Sequence, residues 1–255
     1  NSKIRKAIKK IKKIRKKFDN SEIIKIKKKF GFELTSDQKV AIEQINNDLK
    51  SSQKMFRLLQ GDVGSGKTIV SLMASANVIS SGFQVCLMAP TEILAKQHYS
   101  LANKMLDKNT NIKILTSKTE YKERNTILRD LNNNQINILI GTHSLFQEKI
   151  KYGNLGLIII DEQHKFGVKQ RKKLSDKGGK NCDVLVMSAT PIPRTMIMTI
   201  FGDMDTSIIK NKPKNRIEVK TYSKPINKID EVIKFLKKQI SQKNQIFWVC
   251  PLIKE

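Results

Sequence analysis

The chain has 255 residues, and its hydrophobic fraction of 39% is sufficient for a buried core. No apolar run approaches the roughly 20 residues that a membrane-spanning helix needs, and the basic N-terminal stretch has no apolar block typical of a secretory signal peptide. The three cysteines are far apart and odd in number, so they fit neither a disulfide framework nor a zinc site. We therefore expect a cytoplasmic protein with no membrane partner.

The charge is strongly positive and unevenly distributed. Lysine and arginine number 49 against 23 acidic residues, which gives a formal net charge of +26. Residues 1–29 carry 14 basic and 2 acidic side chains, a net +12. Two interpretations stay open: a polyanion partner such as DNA, or ordinary solvated lysines favoured by A- and T-rich codons.

The first 29 residues predict a basic helical lead-in. Apolar side chains recur at steps of three and four over residues 4–18, as on one face of an amphipathic helix: Ile4, Ile8, Ile11, Ile14 and Phe18. We interpret this helix as packing on a neighbouring domain, with a membrane-surface helix as the alternative. Because the sequence begins inside the predicted helix without Met, we expect a fragment of a longer protein.

From residue 55, short apolar segments alternate with helical ones, which predicts an α/β fold with a mainly parallel sheet flanked by helices. The predicted strands cover residues 55–60, 85–89, 112–116, 136–141, 155–160 and 183–188. The predicted helices include residues 67–80, 91–106 and 118–133.

A polar stretch containing Pro213 predicts a linker over residues 210–216. A strand (217–222), a helix (227–240) and a strand (245–250) are predicted to follow. The predicted domains are therefore the lead-in (1–29), a first lobe (30–209), the linker, and a truncated second lobe (217–255).

Residues 61–68 read GDVGSGKT and match the phosphate-binding pattern G-x-x-x-x-G-K-[ST] between an apolar strand and a helix. Glycines let the backbone curl so that its N–H groups face phosphate oxygens. Lys67 is expected to reach the β- and γ-phosphates of ATP, and the Thr68 hydroxyl to ligate Mg²⁺. The residues predicted to bind nucleotide are Gly61, Asp62, Val63, Gly64, Ser65, Gly66, Lys67 and Thr68.

Two carboxylates end the apolar segment LGLIIIDE (155–162). Ligand sites of open parallel sheets lie beyond the carboxyl ends of the strands. We expect Asp161 to hold Mg²⁺ through its water shell and Glu162 to orient and deprotonate the attacking water. The tetrapeptide NKID (227–230) matches a guanine-reading motif, but no apolar strand precedes it, so ATP is favoured over GTP.

Further segments resemble the successive motifs of superfamily 2 helicases. They are FELTSDQ (32–38), APTEILAKQH (89–98), GTHSL (141–145), DEQHKFGVKQR (161–171) and SATPIPRT (188–195). Their combination resembles the bacterial RecG-type DNA helicases, and IFWVCPLIKE (246–255) resembles the start of the second motor lobe in that family. The resemblance implies a RecA-like P-loop lobe followed by the beginning of a second such lobe.

The resemblance also implies roles for individual residues. Gln38 would read the adenine base. Four residues lie in segments that contact the DNA backbone in related helicases: Pro90, Thr91, Thr142 and His143. Four others would couple the ATP site to DNA movement: Gln163, His164, Ser188 and Thr190. The alternatives are that Thr142 only caps a helix and that His143 is a structural histidine.

The implied function is that of an ATP-driven translocase on double-stranded DNA, which remodels stalled forks and Holliday junctions in recombination and repair. One alternative is a related transcription-repair coupling or primosomal translocase, although those usually carry DEEH where Gln163 stands here. The other is a nucleotide-binding module that recruits a partner and has no motor function. The second lobe's arginine and the wedge domain are expected to lie outside this chain, so we expect a monomer that hydrolyses ATP very slowly on its own.

Overall fold

The computed structural model describes residues 12–19, 21–31, 33–147, 149–161, 179–189, 204–211 and 220–249. The chain divides into two compact units, Asn1–Lys214 and Asn215–Glu255. This division falls inside the linker predicted over residues 210–216. The bounds of the four predicted domains otherwise stay a prediction. None of the helices in the described ranges combines the length and the apolar composition that crossing a bilayer requires.

The first unit is built on one parallel sheet of seven strands in the order β3-β4-β2-β5-β6-β1-β7. The strands are β1 (Phe56–Gly61), β2 (Gln84–Met88), β3 (Ile112–Leu115), β4 (Ile138–Gly141), β5 (Leu155–Ile160), β6 (Asp183–Ser188) and β7 (Asp205–Ile209). Because all pairings are parallel, every strand ends at the same edge of the sheet. This architecture confirms the predicted α/β class.

The helices of the first unit are α1 (Ser21–Phe30), α2 (Ser36–Lys50), α3 (Lys67–Ser80), α4 (Glu92–Met105) and α5 (Tyr121–Asn132). The second unit contains α6 (Ile229–Ser241). Short 3₁₀ turns cover His143–Phe146, Gly179–Asn181 and Ile226–Lys228.

The sheet is buried on both faces, which is why its strands are apolar at nearly every position. In β5, Leu157 and Ile159 join a core with α1 to α4, whereas Ile158 and Ile160 join a second core with α5. Helix α3 lies against the middle of the sheet, and its residues from Ile69 to Val78 are all buried. The phosphate-binding segment therefore starts a helix that is fixed on all sides.

The six predicted strands and three predicted helices of the first unit are confirmed within three residues at each end. The helix α2 and the edge strand β7 were not predicted. In β7, two of the five residues are buried, since within the described ranges β1 alone pairs with it. Such a short and half-exposed segment gives a weak apolar pattern.

The predicted helix over residues 4–18 is wrong where the structure describes it, and residues 4–11 lie outside the described ranges. Residues 12–19 are not helical: Lys13 N donates to Ser52 O at 2.9 Å and Lys16 N donates to Leu49 O at 3.2 Å. Ile14, which the helical pattern placed on the buried face, is 58% exposed. The buried side chains of this extended segment are instead lysines.

Lys13 and Lys16 converge on one carboxylate, that of Asp183 at the start of β6. The Nζ of Lys13 lies 2.6 and 2.7 Å from the two carboxylate oxygens, and the Nζ of Lys16 lies 2.6 Å from Oδ2. Met55 N donates to Oδ1 at 2.7 Å. All three charged side chains are fully buried, so this cluster fixes residues 12–19 to the amino end of the sheet.

The second unit keeps only part of its predicted elements. The helix predicted over residues 227–240 is confirmed as the turn Ile226–Lys228 followed by α6. The strands predicted over residues 217–222 and 245–250 are wrong where the structure describes them, because residues 220–222 and 245–249 are not in strands, while residues 217–219 and 250 lie outside the described ranges. A strand requires a hydrogen-bonded neighbour, and the described part of this unit contains no other extended segment that pairs with them.

Candidate nucleotide-binding site

The loop between β1 and α3 adopts the curled conformation that its glycines predict. Gly64 and Gly66 have φ values of 76° and 89°, in the left-handed region that glycine occupies without a Cβ penalty. Gly66 is also the N-cap of α3, and a Cβ there would overlap Nε2 of Gln38. The first N–H groups of α3 have no acceptors within the helix, so the loop presents donors to an anion.

Two polar side chains of the loop fit a phosphate ligand. Lys67 is buried, and its Nζ donates to Gly61 O at 2.7 Å and to Asp62 O at 3.1 Å, so the ammonium lies over the loop. Ser65 is 1% exposed, and its Oγ has no hydrogen-bond partner in the described structure. A buried hydroxyl without a partner is rare, and a phosphate oxygen would supply one.

Gln38 supports the loop from α2. It is 1% exposed, and its Oε1 accepts from Thr35 N at 2.9 Å while its Nε2 donates to Ser65 O at 2.7 Å. Thr35 Oγ1 in turn accepts from Gln38 N, which completes a capping box at the start of α2. The side-chain amide that is predicted to read adenine therefore also holds the phosphate-binding loop.

Asp37, beside Gln38, holds the segment that leaves β7. Its Oδ2 accepts from Lys210 N at 2.8 Å and from Asn211 N at 2.9 Å. These two backbone hydrogen bonds, that from Asn211 foremost, lower the pKa of the Asp37 carboxyl below its ordinary value. The N-terminus of α2 thus contacts both the nucleotide loop and the exit from the first unit.

Asp161 follows β5 directly and is 7% exposed. Its backbone N donates to Met88 O at 2.8 Å, which continues the β2–β5 ladder by one residue. Its Oδ2 lies 2.8 Å from Nε2 of His98, a buried residue of α4. This contact places an imidazole nitrogen beside the carboxylate that is predicted to hold Mg²⁺.

The residues present fit Mg²⁺ only together with a nucleotide. No group of three or more His, Cys, Asp or Glu side chains within the described ranges could hold a metal ion by itself. Mg²⁺ commonly takes one or two protein oxygens and completes its shell with phosphate oxygens and water. Thr68 and Asp161 are protein donors of that kind, and both lie at the carboxyl edge of the sheet.

The predicted DNA-contacting segments lie at the same edge, on the other half of the sheet. Pro90 and Thr91 follow β2, and Thr91 Oγ1 accepts from Leu94 N at 3.3 Å as the N-cap of α4. Thr142 follows β4 and occupies the N-cap of the turn His143–Phe146, but its side chain makes no capping hydrogen bond. The alternative of a purely capping Thr142 side chain is therefore not supported.

Several predicted residues fall outside the described ranges: Glu162, Gln163, His164 and Thr190. Ser188, the last residue of β6, is fully buried and lies in register with Gln60 of β1. The structure thus brings the phosphate loop, Asp161 and Ser188 to one edge, and the roles assigned to these side chains stay predictions.

A family described as DEAD/DEAH box helicase matches residues 35–199, which is more than half of the chain. The chain belongs to the DEAD/DEAH box helicase family. Within the matched range lie the phosphate loop, Asp161 and the predicted DNA-contacting residues.

Three proteins named RecG are similar to this chain over most of its length. ATP-dependent DNA helicase RecG of Borreliella burgdorferi is 45% identical over 230 residues, covering 90% of this chain and 33% of that protein. RecG of Bacillus subtilis is 44% identical over 243 residues, covering 95% of this chain and 36% of the relative. A solved structure of RecG bound to a three-way DNA junction is 42% identical with a TM-score of 0.84, covering 98% of this chain and 34% of that one.

These matches confirm the predicted resemblance to RecG-type helicases and the RecA-like fold of the first unit. The chain spans about a third of the length of the relatives that it matches. Three contacts of the site region were not predicted: His98 with Asp161, Asp37 with the exit from β7, and Gln38 with Ser65. Each joins residues that are distant in sequence, and periodicity alone carries no signal for such pairs.

Proposed function

We propose that this chain is the ATP-binding lobe, with the start of a second lobe, of a RecG-type helicase that uses ATP to remodel branched DNA in recombination and repair. The observation that carries the proposal is the likeness to RecG bound to a three-way junction, at 42% identity and a TM-score of 0.84 over 98% of the chain. The curled loop with its buried, unpartnered Ser65 Oγ supports nucleotide binding independently.

In this proposal, each side chain acts on ATP at the carboxyl edge of the sheet. Lys67 leaves the loop carbonyls and neutralises phosphate charge, and the N–H groups at the start of α3 bind phosphate oxygens. Thr68 and Asp161 would hold Mg²⁺, which when bound offsets charge on the phosphate oxygens. Glu162 would orient and deprotonate the attacking water, and Gln38 would select adenine.

The partner in this proposal is branched or duplex DNA, bound across the ends of β2 and β4. Pro90, Thr91, Thr142 and His143 would contact phosphates, which position a protein without reading sequence. Ser188 and Thr190, with Gln163 and His164, would connect these contacts to the ATP site. The lysine-rich surface is compatible with this partner but does not carry the proposal.

The test is ATP hydrolysis by the full-length protein with a three-way DNA junction, linear duplex, or no DNA. We expect strong stimulation by the junction and its loss in Lys67→Ala, with Lys54→Ala as a control outside the loop. Stimulation that is equal for junction and linear duplex would favour a related translocase. Nucleotide binding without any DNA-stimulated hydrolysis would favour the non-motor recruitment module.

A further inference from the structure

The sheet divides into a nucleotide half and a DNA half, and the side-chain contact between His98 and Asp161 crosses the division. The strand order places β5, β6, β1 and β7 beside the phosphate loop, and β3, β4 and β2 beneath the predicted DNA contacts. The two halves meet where β2 pairs with β5. His98 belongs to the helix that follows β2, whereas Asp161 follows β5, and their side chains meet at 2.8 Å.

We propose that His98 is a positioning residue, which holds the Mg²⁺-site carboxylate of Asp161 and joins it to the DNA-facing helix α4. This inference rests on the proposed function. A carboxylate can only accept hydrogen bonds, so the contact requires Nε2 of His98 to donate to Oδ2. With Oδ2 held by the ring, the direction of Oδ1 towards the predicted Mg²⁺ and its water shell is fixed, as a hydrogen-bonding partner commonly orients a carboxylate at a metal site.

Burial gives this contact its strength. The side chains of His98 and Asp161 are only 6% and 10% exposed, so water does not compete effectively for either partner. Helix side chains tilt towards the N-terminus of their helix, and His98 therefore reaches back to the carboxyl edge of the sheet. The main chain of Asp161 is fixed as well, by its hydrogen bond to Met88 O.

The same helix carries the predicted DNA contact. Thr91 caps α4, and His98 lies seven residues further on, about two turns along the same side of the helix. A displacement of the start of α4 by DNA would consequently move His98 and with it the carboxylate. Coupling between DNA and the Mg²⁺ site would then need only one helix and one hydrogen bond.

The test measures how much Mg²⁺ strengthens binding of a slowly hydrolysed fluorescent ATP analogue to the 255-residue chain, as the ratio of affinities in Mg²⁺ and in EDTA. His98→Leu should lower this ratio about 10- to 100-fold, the usual cost of losing such a partner. His98→Gln, which keeps an N–H donor, should restore much of the ratio. Asn103→Ala is the matched control, because this exposed side chain of α4 donates to Tyr99 O of its own helix.

A folded His98→Leu chain with the wild-type ratio would overturn the inference. If His98→Leu does not fold, His98→Asn replaces it, since the shorter side-chain amide of Asn cannot reach Asp161. Equal ratios of the affinities in Mg²⁺ and in EDTA for the Asn and Gln variants would then overturn the proposal. A wild-type chain that binds no nucleotide would instead overturn the proposed function. Normal binding that depends on Lys67, together with unchanged ratios, would overturn the role of His98 alone.

Discussion

Asp183→Asn should destabilise the first unit strongly, because two buried ammonium groups depend on this carboxylate. The substitution keeps the shape of the side chain and one acceptor oxygen for Met55 N. It removes the negative charge from a cluster in which Lys13, Lys16 and Asp183 are fully buried. It also places either an amide NH₂ or an uncharged oxygen against each lysine.

The magnitude follows from the geometry of the cluster. Breaking a buried ion pair by removing one partner costs about 3–5 kcal/mol, since the remaining charge is left without compensation. Here two cations lose their counterion, so we expect the upper part of that range. A domain's whole unfolding free energy is about 5–15 kcal/mol, so the variant should be markedly less stable to denaturant.

The assay is urea unfolding followed by circular dichroism, with Asp130→Asn as the matched control. Asp130 pairs with Arg129, whose side chain is 70% exposed, and its substitution should change the unfolding free energy by less than about 0.5 kcal/mol. A double-mutant cycle sharpens the test: in a background of Lys13→Met and Lys16→Met, Asp183→Asn should cost much less. A cost below about 1 kcal/mol in the wild-type background, or the same cost in both backgrounds, would refute the reasoning.

Three other changes should affect nucleotide binding by the phosphate loop, the segment after β7, and the dependence of stability on pH. Gly66→Ala should abolish binding of an ATP analogue, because the new Cβ overlaps the side-chain amide of Gln38 that holds the loop. Gly82→Ala is the control and should bind normally, since Gly82 has a similar φ of 81° but lies in open space. Equal affinities in titrations of the two variants would contradict this. Asp37→Asn should speed hydrogen exchange of the two backbone amides that donate to this carboxylate, as measured by mass spectrometry. In the wild type, protection of the same amides should be lost as pH falls from 3.8 through the lowered pKa of Asp37. Unchanged exchange rates would argue against the contact. Burial lowers the pKa of Lys13, so the unfolded chain binds this proton more tightly, and the unfolding free energy should rise with pH towards 10.5. Lys13→Met should flatten that rise when the unfolding free energy is measured by urea titrations at alkaline pH. An unaltered dependence of the unfolding free energy on pH would count against the buried charge.

The phosphate site was predictable because its information is local. Three glycines, Lys67 and Thr68 stand in one octapeptide between an apolar strand and a helix, and the structure forms that strand, loop and helix. The ends of the buried strands were equally predictable, since parallel strands covered on both faces are apolar throughout. Asp161 was predicted for the same reason, as a charge directly after such a strand.

The structure of the N-terminal segment could not be predicted from local sequence patterns. Its isoleucine spacing predicts a helix only if lysines are assumed to face solvent, and Lys13 and Lys16 are buried instead. Their partner Asp183 lies 170 and 167 residues away in the sequence, so no local pattern identifies it. His98 was overlooked for the same reason, because Asp161 is 63 residues further along the chain.

The position of β1 in the sheet places the predicted nucleotide site directly beside two other strands. β1 lies between β6 and β7, with Gln60 opposite Ser188 and Gly61 opposite Ile209. A Cβ on Gly61 would lie 3.0 Å from the carbonyl oxygen of Ile209, so the loop already touches the end of β7. Neighbouring strands are about 4.8 Å apart, and a loop displacement of a fraction of that spacing would press on both neighbours at once. The coupling predicted for Ser188 would therefore need no relay through the domain: it would start as direct steric contact with β6, which ends at Ser188, and with β7, the strand before the predicted linker.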